Sequence, residues 1–452
     1  MGLEKTLAEY ITEAKFEDLP GDPMATTKNV ALTIMGTTIA GARTEGCQEV
    51  VQQVREWGGK DESSILIHSG KVPACNAALA NSFMARALDF CDGMSPGIHI
   101  GASSVPTGLA VAELVGGCSG KDFLTALVVG SELAARLNLS ESAYNGFDPT
   151  GVCTVFATAA IAGKILELNS KQMLNALALA FNRSGGSFQS NIDGSLAVRL
   201  IQGFVSQSGI MCAQLAGRGI TGPKDFLEGV YGYFHLFSGD EYDSQSILAD
   251  LGTKFRMTNL LFKKYPSCGS TLASTDAILQ VVEENNLVAE DIDQIMISVT
   301  PYTYNLVGSP FKIGENPKVD AQFNIQYCVA NAILRRLPEL RHFDEAYVRD
   351  PNVVDLIKKI SVVSDTKLME RGNRTAALRV VTKEGRNYQA IVDRPRGFPD
   401  NPLIQEEHDK RFRDCMEYAG WSISDDRAEK ILSSVRHLEL LEDVRTLINV
   451  LT

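Results

Sequence analysis

No two of the nine cysteines stand at a C-x-x-C spacing, and nine is an odd number. That pattern excludes zinc ribbons and a secreted disulfide framework, so reduced, buried thiols are expected. Histidine is scarce, with six residues at positions 68, 99, 235, 342, 408 and 437, none paired at i, i+4. The chain also lacks H-E-x-x-H, a Walker A motif, G-x-S-x-G, and G-x-G-x-x-G after a strand. If it is an enzyme, it is expected to work with neither a metal nor an organic cofactor. Positive charge is in deficit: 43 Lys and Arg against 55 Asp and Glu give a net charge of −12. Such a surface repels phosphate backbones, so no nucleic-acid partner is expected. A few cations in one cleft still suffice for a small anion. Long apolar runs are missing too. The stretch Val152 to Ala162 is too short to span a bilayer, and Met1 to Phe16 is charged with no apolar core. No membrane partner and a cytoplasmic location are the resulting expectations.

What is present is ample length and a globular balance. At about 150 residues per domain, 452 residues suggest two to three domains, and 44% apolar with 22% charged residues is ordinary for a folded protein. Ala-rich segments with helical spacing occur at 26–41, 73–88, 105–115, 121–137, 152–168, 170–181 and 200–216. Several are apolar nearly all round, which requires burial by other helices and therefore a multilayered helical domain. After Pro266 the pattern changes. Residues 292–299, 376–382 and 388–392 read as strands, the last two as a hairpin, with helices expected at 321–334 and 353–359. Helical spacing returns at 408–418 and 424–451. The expected fold is mainly α: a large helical domain from residues 1–265 and 394–452, with a smaller α+β lid domain at 266–393 inserted between.

Four polar clusters lie mostly in the Gly- and Pro-rich loops between these helices, where function tends to sit. Asp89 and Asp92 end an apolar helix and precede His99 on a Gly/Pro loop. A histidine near carboxylates suits acid/base work, although capping by Asp89 and a packed His99 explain the pattern equally well. Tyr144 to Thr150 contains Asp148 before Pro149, which reads as a helix cap as readily as a catalytic acid. Gln189 to Arg199 ends with a cation opening a helix, a position that favours an anion and makes Arg199 a plausible carboxylate clamp. Lys263, Lys264 and Cys268 fall at the inferred domain junction, where clefts commonly bind ligands. Paired lysines are also commonly just solvated, and no histidine partner for Cys268 can be named from spacing.

In this order the clusters resemble the MmgE/PrpD family, which includes 2-methylcitrate dehydratase, cis-aconitate decarboxylase and iminodisuccinate epimerase. The resemblance covers nearly the whole chain. It rests on Leu88-Asp89-Phe90-Cys91-Asp92 with His99, Gly146-Phe147-Asp148-Pro149-Thr150-Gly151, and Gly217–Gly222 ahead of Leu227-Glu228-Gly229. Lys263 to Cys268, Ala321 to Tyr327 and Gly397 to Pro402 also fit. It implies a large helical domain with an α+β lid, a homodimer, and cofactor-free proton chemistry on di- or tricarboxylates between the domains. Carried over, Asp89 and His99 join a polar catalytic cluster and Lys263, or its neighbour Lys264, becomes a base or a cation for substrate carboxylate. Arg199 stands where many members have lysine. Cys91 and Gly93 replace an acid and a hydroxyl, and Asp148 and Cys268 stand where histidines occur in members of the family.

The expected function is a lyase of the dehydratase type, acting by proton abstraction beside a carboxylate. His99, Asp89, Lys263 and Tyr144 are the candidate catalytic residues. Arg199, Lys264, Asp92, Asp148, Gln189 and Cys268 are the candidate substrate-binding residues, and no metal ligands are expected. An epimerase or isomerase, a decarboxylase, a non-catalytic metabolite-binding relative and a Cys268 hydrolase are the alternatives.

Overall fold

The computed structural model describes residues 2–144, 146–420 and 425–452. The Ala-rich segments form the helices Gly21–Gly41, Ala74–Arg86, Gly101–Leu114, Gly120–Leu137, Pro149–Ile165, Ser170–Phe181 and Ala197–Gly217. In Pro149–Ile165 every residue except Lys164 is buried. An apolar helix without a wet face needs neighbours on all sides, and here the helices at 101–114, 120–137, 170–181 and 197–217 supply them. Small residues allow the close approach: an added Cβ at Gly151 would run into the Gly185 carbonyl, and one at Gly209 into Thr158. The sequence reading did not include the amphipathic helices Leu3–Glu13 and Cys47–Trp57.

A second apolar cluster gathers residues from Leu261 to Phe398, with Val198 reaching in from the helical part. Its four-stranded sheet has the order Ile360–Ser364, Ile292–Val299, Ala376–Thr382, Asn387–Val392. The first pair is parallel and the other two are antiparallel. The helix Leu272–Glu284 packs on the last two strands and on Ile325–Arg335.

Three sequence expectations are corrected. The helix expected at 321–334 is two helices, Pro317–Gln322 and Ile325–Arg335, because the Asn324 side chain accepts from Tyr327 N at 3.1 Å and starts a new one. The strand Ile360–Ser364 was not expected at all. The helical run at 424–451 is broken into Asp425–Arg436 and Arg445–Leu451, while Ser424 itself lies outside the described residues.

The chain returns to the helical part through Gly397 and the helix Gln405–Ala419, which packs on Gly21–Gly41. This return matters for the site. Gly397 has a φ of +96° and its carbonyl accepts from Phe262 N at 2.8 Å, one residue before Lys263. From the same returning helix, Arg411 donates to the Lys263 carbonyl at 2.8 Å, to Thr33 Oγ1 at 3.0 Å and to the Phe90 carbonyl at 2.6 Å. One buried guanidinium thus ties together three segments that are far apart in sequence.

Candidate active site

Just after the helix Ala74–Arg86 the chain passes through Asp89 in the left-handed region, at a φ of +48°. Three residues on, the short strand Asp92–Gly93 pairs antiparallel with Leu261–Phe262. That pairing brings the Asp89–His99 loop alongside Lys263. The two segments form part of the wall of a cavity of about 830 Å³, which residues from both apolar clusters line.

Asp89 is buried and holds two cations. Its Oδ1 contacts an Arg86 guanidinium nitrogen and lies 2.7 Å from Lys263 Nζ. Burial pushes the Asp89 carboxyl upward, but Arg86 and Lys263 outweigh it and hold its pKa below the ordinary carboxylate range. An ammonium carries three N–H groups, so Lys263 keeps donors for another acceptor beside Asp89. Arg86 and Lys263 line the cavity, whereas Asp89 stands behind them.

His99 reaches the same wall. Its Nδ1 donates to the Asp92 carbonyl at 2.6 Å, which fixes the tautomer and leaves the lone pair on Nε2. Its backbone N donates to Thr150 Oγ1 at 3.1 Å, and its carbonyl accepts from Gln202 Nε2 at 3.0 Å. Burial, reinforced by Arg86 and Lys263, holds the imidazole pKa well below its usual 6.5. The ring is therefore neutral at pH 7.

Asp148 caps the helix Pro149–Ile165 by accepting from Thr150 N at 2.8 Å, and it also lines the cavity. Burial raises its carboxyl pKa. Cys268 lies on the wall with a thiol that burial keeps protonated, and the cysteine in contact with His99 Nδ1, at 3.6 Å, is Cys91. A protonated thiol with no base partner among the described residues is a poor nucleophile, which removes the basis for the hydrolase reading.

Five candidates fall elsewhere. Arg199 is buried and bound to Glu45, with NH1 at 2.5 Å from its carbonyl and NH2 at 3.3 Å from Oε2. The helix Ala197–Gly217 turns Val198, Ile201 and Gln202 to the cavity, a 3–4 spacing that leaves Arg199 off that face. The carboxylate-clamp expectation for Arg199 is thereby corrected. Asp92 accepts from Ile100 N and Gly101 N at 3.2 and 2.9 Å, capping a helix rather than facing a ligand. Tyr144 is buried outside the wall, its hydroxyl donating to Asn138 Oδ1 at 2.6 Å and accepting from Leu139 N at 3.1 Å. Gln189 is exposed and donates to Asp193 Oδ1 at 2.8 Å. Lys264 points away, 3.7 Å from Asp276, into a separate surface groove.

Sequence reasoning missed Arg86, Thr150, Gln202, Tyr302 and Arg374, all of which line the cavity. Arg86 had a signal, since it ends an apolar helix three residues before Asp89. Arg374 had none, because it lies in an irregular turn. Among the described residues, no group of three or more His, Cys, Asp or Glu side chains is placed to hold a metal ion.

Comparison with known proteins gives two family matches. The MmgE/PrpD N-terminal domain profile matches residues 5–245, and the MmgE/PrpD C-terminal domain profile matches residues 265–440. The chain is 25% identical over 464 residues to a cis-aconitate decarboxylase from Homo sapiens, covering 99% of this chain and 94% of that protein. It is 24% identical over 466 residues to the cis-aconitate decarboxylase-like protein oryM from Aspergillus oryzae, covering 98% and 95%.

Proposed function

The chain belongs to the MmgE/PrpD family, and on that premise we propose that it is a lyase acting on a small di- or tricarboxylate by abstracting a proton beside a carboxylate and expelling water. The observation that carries this reading is the Nδ1 contact of His99 with the Asp92 carbonyl at 2.6 Å. It leaves Nε2 as a neutral base on a wall shared with two cations.

In this scheme His99 Nε2 takes the proton from the carbon next to the substrate carboxylate. Negative charge then builds on that carboxylate, where Lys263 and Arg86 stabilise it. The C–O bond at the adjacent carbon breaks, and Asp148, whose carboxyl pKa is raised by burial, is the acid that delivers the proton making the departing hydroxyl water. Asp89 touches no substrate and acts by positioning the two cations. One neutral base and one raised carboxyl on the same wall are the division of labour that elimination needs. The scheme needs no metal ion or organic cofactor.

The names of the two relatives favour a second reading, decarboxylation of a related acid. Incubation in deuterated water with succinate-like and citrate-like acids, followed by mass spectrometry, separates the two. Water loss, with deuterium at the α-carbon of recovered acid, is expected. Carbon dioxide loss would select the second reading. Exchange at the α-carbon with neither loss would make the protein an epimerase. Binding without any of these would make it a non-catalytic relative.

Two further features belong to this proposal. The working unit is a homodimer, supported by Phe204, Met211 and Leu215, which are exposed along one helix with Ile220 just beyond it. The compartment is the cytoplasm, supported by nine cysteines that are all free. No described helix is long and apolar enough to cross a membrane.

A further inference from the structure

The cavity wall is part polar and part apolar. Ile98, Val198, Ile201, Leu261, Leu306 and Phe323 supply hydrocarbon wall. A substrate made only of carboxylates and hydroxyls would leave that surface without a partner and would itself be desolvated against it.

The charges are few. Arg86 and Lys263 already share the buried Asp89. The third wall cation, Arg374, makes no hydrogen bond or ion pair among the described residues, and its guanidinium stacks over the Phe398 ring at 4.3 Å. Stacking fixes the plane of the fork while leaving its N–H edge free for a planar anion. Nearby, Asn373 Nδ2 donates to the Glu141 carboxylate, and Tyr302 donates to the Pro96 carbonyl at 2.6 Å, so these acceptors are engaged by other donors. Three cations set against Asp89 leave two positive charges, even with Asp148 and Glu141 both neutral. A tricarboxylate would therefore enter with at least one charge unmatched.

Deepening the lyase reading, on which it rests, we propose that the substrate is an alkyl-substituted dicarboxylate bearing a hydroxyl on the carbon next to the one that loses its proton. One carboxylate meets Lys263 and Arg86, the other meets Arg374, and the alkyl group lies on the apolar wall. Arg374 is then a substrate-binding residue, and what excludes citrate-like acids is that, among the described residues, the three wall cations are offset by Asp89 to a net two positive charges.

Isothermal titration of the full chain with 2-butylsuccinate, succinate and propane-1,2,3-tricarboxylate tests this. The butyl compound is expected to bind about 10-fold or more tighter than either of the others, since several methylenes leave water. Arg374→Gln should weaken 2-butylsuccinate by about 10-fold while leaving hexanoate, which has a single carboxylate, within about twofold. Tricarboxylate binding equal to or tighter than that of 2-butylsuccinate would overturn the proposal. So would an Arg374→Gln variant, folded by its melting curve, that keeps wild-type affinity. If Arg374→Gln does not fold, the wild-type ranking of the three acids alone decides. The corresponding hydroxy acids, 3-butylmalate, malate and citrate, in deuterated water separate the two layers. His99-dependent water loss from citrate in preference to 3-butylmalate would sink the substrate class and keep the lyase. The expected binding order with no exchange or water loss from any of the hydroxy acids would keep the substrate class and sink the lyase.

Discussion

His99 is the residue on which the chemistry turns, and its environment makes a specific kinetic statement. Burial and two neighbouring cations place its pKa well below 6.5, so the neutral base form persists as pH falls through that value. The profile of kcat/KM should therefore show no acid limb at 6.5 and decline only well below it, as protonation removes the base. An acid limb centred at or above 6.5 would assign the base to another group. Cys268 makes the opposite statement: its thiol is held protonated by burial, so Cys268→Ser should retain kcat within a few-fold. A loss of about 10³-fold, with the fold intact by circular dichroism, would restore a nucleophilic role. Much of this wall was legible in the sequence, because His99, Asp148, Lys263 and Cys268 all lie in short polar stretches beside Gly or Pro. Arg199 misled because its partner, Glu45, lies 154 residues away, a distance no local pattern reports. Arg374 was invisible for a related reason: it acquires meaning only once Phe398 is stacked beneath it.

At the scale of elements, the site is held by short, tense connections rather than by long helices. The two-residue strand Leu261–Phe262 carries Lys263 into place, and Gly397 clamps it from the other side. With φ at +96° and the Phe262 carbonyl in the way of any Cβ, Gly397→Ala should destabilise the protein by about 2 kcal/mol or more. It should also lower kcat by displacing Lys263. A thermal midpoint and kcat both unchanged would contradict this clamp. The helices were readable because apolar periodicity over a dozen or more residues is a strong signal. The strand Ile360–Ser364 was not. It follows the helix Pro351–Ile357 after two residues, and its identity comes from parallel pairing with Ile292–Val299, which is a long-range contact. The break at Asn324 was hidden for a different reason, since one capping side chain reset a helix within a continuous apolar pattern.

For the whole molecule, two apolar clusters meet around one cavity, and an exposed stripe on the helix Ala197–Gly217 lies on the other face of the segment that lines it. If that stripe is the dimer contact, the double variant Phe204→Glu, Met211→Glu should run as a monomer in light scattering while the wild type runs as a dimer. A wild-type monomer at micromolar concentration would remove the dimer from the account. The central claim is that a neutral His99 takes a proton from the carbon beside a carboxylate held by Lys263 and Arg86. It is tested most directly by comparing deuterium incorporation at that carbon for the wild type and for folded His99→Gln, using whichever acid the wild type converts. The expected result is deuterium in acid recovered from the wild type and a loss of incorporation of about 10²-fold or more in the variant. Incorporation by His99→Gln at the wild-type rate would contradict the claim.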